Sequence, residues 1–176
     1  AVVTINILDA NEAPSLLGSS LTIAEGGTIA LDANNIVVGD PDNDSLIFNV
    51  SNVLGGQFEL TTNPGVAITN FTDSQWNVGQ VVFIDNGDEF APSYDIAVDD
   101  GSLLDGPIAA TINFTNVNDA PSVTNTGVTV IEGGSVSISN TALAASDADD
   151  LPSGLVYTIV VPTASGSIER GGQPGA

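Results

Sequence analysis

The chain has 176 residues, 42% of them hydrophobic, with 22 Asp and Glu against one basic residue, for a formal net charge of −21. So acidic a chain repels phosphate, which excludes nucleic acid and an anionic membrane as partners, while its apolar content supports a buried core. With no Cys, His or Met, soft-metal sites lack their ligands and Cys or Ser-His nucleophilic catalysis is excluded.

In chain order, residues 1–12 read as the last strand and linker of a preceding repeat, with neither a signal peptide nor a membrane span. LTIAE, TIALD, LIFNVSNV, QFELTT, GVAITNF, QVVFIDN, YDIAVDD and AATINFTNV follow. They are short, β-branched-rich and bounded by Gly, Pro, Asn or Asp, the pattern of strands. No window carries a convincing helical period. Strand A is expected at Leu21–Glu25, B at Thr28–Asp32, C at Leu46–Asn52, E at Gln80–Asp85, F at Ser93–Val98 and G at Ile108–Asn116. The apolar pattern then starts again.

That restart is a repeat. LDANEAPS, Leu8 to Ser15, is echoed by TNVNDAPS, Thr115 to Ser122, and Pro14 and Pro121 lie 107 apart (121 − 14). Glu25 and Glu132, Asp40 and Asp147, and Thr4 and Thr111 share that spacing. A two-residue insertion then aligns Leu46 with Leu155. Residues 13–119 are thus one complete copy and 120–176 the N-terminal part of the next. Strands at this density within such a period predict an all-β fold of tandem immunoglobulin-like Greek-key sandwiches joined by short linkers.

IAEGG, GDPDNDSLIFNVSNVLGGQFEL, ITNFTDSQWNVGQVVFIDNGDEFAPSYDIAVDDGS and the closing VNDAP together resemble a cadherin-like repeat. More narrowly they are similar to the chondroitin sulfate proteoglycan (NG2-type) repeats of large bacterial surface and secreted proteins. The resemblance implies tandem β-sandwich modules, often calcium-binding, in adhesion or extracellular scaffolding. The expected partners are neighbouring repeats of the same protein, with homophilic or head-to-tail self-association and a glycan or cell-surface ligand as further possibilities.

The residues support a calcium site independently. In such a sandwich the B–C and F–G loops share one pole, and the A–B and E–F loops the other. Calcium needs about six to eight oxygens, more than any one loop here offers, but a pole and a linker together can supply them. One junction is expected to use Glu25, Asp88 and Glu89, then Asn118 and Asp119 of the linker, then Asp147 and Asp149. An N-terminal junction would use Asp9, Asn11, Glu12, Asp40 and Asp42, with Asp99 or Asp100. Any one of these acids is equally well explained by turn chemistry. The recurrence of DxD, EGG and the Asn-Asp linker at one period favours metal. DPDNDSLIFNVS is no EF-hand, because it lacks Gly at the sixth position and Glu at the twelfth and runs into a strand.

Other functions fare worse. Trp76 and Phe71 could form a sugar-stacking platform in a lectin-like module, but a core role accounts for them better. Adjacent pairs such as Asp88 with Glu89, or Asp99 with Asp100, could serve a hydrolase, yet neighbouring acids on one turn point apart, so no enzyme is expected. Residues 1–8 could complete the half sandwich of a neighbouring chain and build a filament. One strand cannot replace several, however, and truncation of a longer array explains both ends better.

Overall fold

The computed structural model describes residues 10–160 and 165–169. The expected strand over residues 1–8 and the expected ligand Asp9 lie outside the described residues. The chain divides into two compact units, residues 1–117 and 118–176. The described elements are β-strands but for one short helix.

In the first unit, Pro14 is buried, and strand β1 (Ser15–Ala24) starts directly after it with inward and outward residues largely alternating. Its first half pairs antiparallel with β3 (Ile36–Gly39). A register shift between Leu16 and Gly18 interrupts that ladder, and the second half pairs parallel with β11 (Thr111–Thr115). A second sheet runs β10 (Leu104–Ala109), β9 (Ser93–Asp99), β4 (Ile47–Leu54), β7 (Asn70–Thr72). A third runs β2 (Thr28–Ala30), β8 (Val81–Asp85), β5 (Gly56–Leu60), β6 (Asn63–Ile68). This is a β-sandwich, and the all-β expectation holds.

The core is one cluster drawing on all three sheets: Leu21, Ile23 and Ile36 from the first, Phe48, Phe71, Tyr94, Ile96 and Val98 from the second, Phe58, Val81 and Phe83 from the third. Phe58 stands edge-on to Tyr94, ring centroids 4.8 Å apart at 89°, and edge-on to Phe83 across the β5–β8 pair at 5.0 Å. Such geometry favours the ring quadrupoles as well as burial. Loss of any one of these buried rings to Ala would cost about 3–5 kcal/mol.

Three details depart from the expected elements. Strand G is two strands, β10 on β9 and β11 on β1. Strand β3 was not anticipated. A helix α1 spans Asp73–Asn77, started by a capping box in which Thr72 Oγ1 accepts from Gln75 N and Gln75 Oε1 accepts from Thr72 N. Trp76 in this helix packs on Phe48 at 5.5 Å, and Phe71 is buried and stacked on the same ring at 5.1 Å. These two aromatics belong to the core and offer no open stacking platform.

In the second unit the described strands are β12 (Ser122–Asn125) and β13 (Leu143–Ser146), paired antiparallel. No described helix is long and apolar enough to cross a membrane.

Candidate metal centre

Consider first the end of the first unit that carries its N-terminal linker. Asp40, Asp42 and Asp44 lie between β3 and β4, each offering an oxygen within 4.8 Å of the others. Asp40 Oδ1 accepts from the backbone N–H of Asp42 (2.9 Å) and of Asp44 (3.1 Å), which folds the loop around that carboxylate. Its Oδ2 is buried and has no hydrogen-bond partner. A shielded carboxylate oxygen with no donor is costly unless something positive meets it. The linker closes on this loop: Glu12 N donates to Asp42 Oδ2 (2.6 Å) and Asn11 Nδ2 to Asp100 Oδ2 (3.0 Å). Asn11, Glu12, Asp40, Asp42 and Asp100 are therefore brought together. Asp99 accepts from Gly101 N within its own turn.

Asp100 also accepts from the N–H groups of Ser102 and Leu103, each at 2.7 Å. Its pKa lies below the ordinary 3.8, held there first by the Leu103 N–H and then by the Asn11 amide. A depressed carboxyl stabilises the fold above its unfolded value, and that contribution is lost as pH falls through the folded value. The loop is thus built for the ionised form.

The second unit repeats this arrangement at its own linker. Asp119 N donates to Asp149 Oδ2 (2.6 Å), as Glu12 N does to Asp42. Asp147 Oδ1 accepts from Asp149 N (3.0 Å) and Asp150 N (2.9 Å), as Asp40 does from Asp42 and Asp44. Asn118 Nδ2 donates to Asp119 O, as Asn11 does to Glu12 O. The linker clasp and the first turn bond match residue for residue, while the second turn bond comes from i+4 in the first unit and from i+3 in the second. A linker backbone N–H clasped by the second Asp of DxD is thus the shared local design, with the first Asp organising the loop.

The opposite end of the first unit carries Glu25, Asp88 and Glu89. The EGG turn is fixed by Gly26 at φ +63°, a conformation that favours glycine, and by a Gly27 N to Ala24 O hydrogen bond of 2.9 Å. At Gly27 the requirement is steric, since a Cβ there would stand 2.7 Å from Ala24 O. Glu25 Oε2 accepts from Val117 N (2.9 Å), Glu89 accepts from Asn116 Nδ2, and Glu25 and Glu89 each offer an oxygen within 4.8 Å of the other. Asp88 is occupied in its own loop, accepting from Phe90 N and Asn86 Nδ2.

Two carboxylates lie outside the expected set. Asp44 completes the DPDND cluster, and the signal for it was the i, i+2, i+4 spacing itself. Asp85, the last residue of β8, is buried between the EGG turn and the 86–89 loop and accepts from both Gly26 N and Gly87 N. Nothing in a run that ends a strand distinguishes that Asp from ordinary turn chemistry.

The first unit is thus a β-sandwich whose loops and linker gather carboxylates at its ends. The family model described as Cadherin-like matches residues 14–114 and again 121–176, and the chain belongs to that family. It is 28% identical over 176 residues to extracellular matrix protein 3 of Lytechinus variegatus, covering 96% of this chain and 6% of that protein. It is also 28% identical over 155 residues to FRAS1-related extracellular matrix protein 2 of Homo sapiens, covering 83% of this chain and 5% of that protein. The chain thus spans only a small fraction of these relatives. No solved structure matches it. Family and relatives support an extracellular structural or adhesive module, and both stand outside enzyme families.

Proposed function

We propose that the chain is a calcium-binding piece of a long extracellular array, in the NG2-type subgroup of cadherin-like repeats, in which metal at repeat junctions stiffens the rod. The observation that carries the reading is the clasp repeated at both linkers, Glu12 on Asp42 and Asp119 on Asp149. Turn chemistry explains any one of these acids. It gives no reason for the same linker-to-DxD bond to recur one period later. The donor set supports the assignment: every candidate is a hard oxygen, of the kind calcium takes in numbers of about six to eight. Asp40 Oδ2, shielded and without a donor, fits a cation-facing oxygen.

Calcium would be held at the N-terminal linker by Asp40, Asp42 and Asp44, with Asn11, Glu12 and Asp100 around them. At the opposite end of the first unit Glu25, Asp88 and Glu89 would supply oxygens, and at the second unit's own linker Asn118, Asp119, Asp147 and Asp149 would do so. Bound metal neutralises carboxylates that otherwise repel, so the linker N–H clasps tighten and the chain stiffens.

Calorimetry in calcium and in EDTA tests this. At a hundredfold excess over Kd the gain should be about 2.7 kcal/mol per site. Asp40→Asn and Asp147→Asn should each remove part of it, and magnesium should substitute poorly. A melting temperature indifferent to calcium sinks the reading.

A further inference from the structure

Asp85 is only 4% exposed, yet it belongs to no apolar layer. Its Oδ1 accepts two backbone N–H bonds, from Gly26 at 2.8 Å and from Gly87 at 3.0 Å, and its own N donates to Gly27 O at 2.9 Å. Gly26 and Gly87 both hold positive φ, +63° and +74°. The two turns pass so close that a Cβ on Gly87 would lie 3.8 Å from Gly26 Cα. Each glycine adjoins an acid of the proposed site, Gly26 following Glu25 and Gly87 preceding Asp88 and Glu89.

We infer that Asp85 is a positioning residue for calcium: one buried carboxylate oxygen pins the Glu25 turn to the Asp88–Glu89 loop and holds their acids in place before the ion arrives. This rests on the calcium reading above. Glu25 and Glu89 already stand within 4.8 Å of each other, and like charges at that range push apart. Two glycine-bearing turns have little stiffness of their own to resist. A charge-assisted double hydrogen bond resists it directly, being about twice as strong as neutral bonds. Its second oxygen, Oδ2, is buried without a hydrogen-bond partner, so a cation nearby also relieves an otherwise unfavourable burial.

The test is a calcium titration of the whole chain followed by NMR at the Gly26 and Gly87 amides, with hydrogen exchange of the same amides in EDTA. In the wild type both amides should exchange slowly without metal and shift on calcium addition. Asp85→Ala should weaken calcium by about 10-fold or more, the scale for losing a group that orients ligands. Asp85→Asn, which keeps one acceptor oxygen but loses the charge, should recover part of that loss, whereas a purely electrostatic role would leave it as weak as Asp85→Ala and overturn the clamp. Equal affinity for wild type and Asp85→Ala also overturns it, with the calcium reading intact. If the wild type binds no calcium, both fall together. Should Asp85→Ala fail to fold, the Asp85→Asn titration and wild-type exchange decide: unprotected Gly26 and Gly87 amides mean no clamp exists.

Discussion

At Tyr94 two requirements meet in one side chain. The ring fills the core between Phe58 and Phe83, while its hydroxyl reaches the Ser19 hydroxyl at 3.0 Å. Burial raises the phenol pKa above its ordinary 10.0, and the Ser19 bond pulls the other way without cancelling it. The sign follows from which state ionises first. The unfolded chain loses this proton near its ordinary value, the folded chain only at higher pH. The stabilisation is therefore complete below about pH 10 and is lost as pH rises through the folded value. Urea midpoints taken across that range should fall for the wild type and fall less for Tyr94→Phe. At neutral pH the same change should cost about 1–3 kcal/mol, because the buried Ser19 hydroxyl is left without its partner. A parallel alkaline decline in both proteins would mean that another group carries it.

Among the elements, the sequence was most legible where short β-branched-rich runs are buried. QVVFIDN and YDIAVDD became β8 and β9, near the expected bounds, because their apolar residues face a single core. Partnering was not legible. The expected strand G, Ile108–Asn116, is split between the end of β10 and β11, and β1 changes neighbours midway, since pairing depends on residues distant in the chain. Helix α1 was missed, because its five residues are too few to show a 3.6-residue period and its TDSQ capping box was the one local signal for it. The site divides the same way: the acids were visible as a repeated spacing, whereas the backbone donors that hold them were not. Sterics at the EGG turn yield a direct test. Gly27→Ala forces a Cβ against Ala24 O and should cost about 1–3 kcal/mol. Gly18→Ala meets nothing within 4 Å and should be neutral or stabilise by about 0.4–1 kcal/mol. Chemical denaturation of the two variants measures the contrast, and equal midpoints would refute the steric account.

For the molecule as a whole, the repeat invites a position-by-position comparison of the two units, each taken alone. Phe48 and Val50 of β4 are 0% and 5% exposed, while Tyr157 and Ile159, aligned with them through the two-residue insertion, are 52% and 60% exposed. Leu21 and Ile23 are buried, and their counterparts Val128 and Val130 are exposed. The same apolar alternation is thus covered in one unit and uncovered in the other. What covers it in the first unit is Phe58, Phe83, Tyr94 and Ile96, from β5, β8 and β9. Since burial and not strand propensity supplies most stability, the buried strands of the first unit should open at a much higher free energy than the exposed described residues of the second. Hydrogen exchange read by mass spectrometry should find β4, β8 and β9 slowest. Residues 126–142 and 147–160 should exchange almost as fast as a free peptide, with modest protection confined to the β12–β13 ladder. Calcium would add protection around Asp147–Asp150 if the linker clasp is a metal site, but it cannot protect Tyr157 or Ile159, which lie beyond the clasp. Protection of 147–160 equal to that of β9, with or without calcium, would show that an apolar surface of the second unit is covered after all.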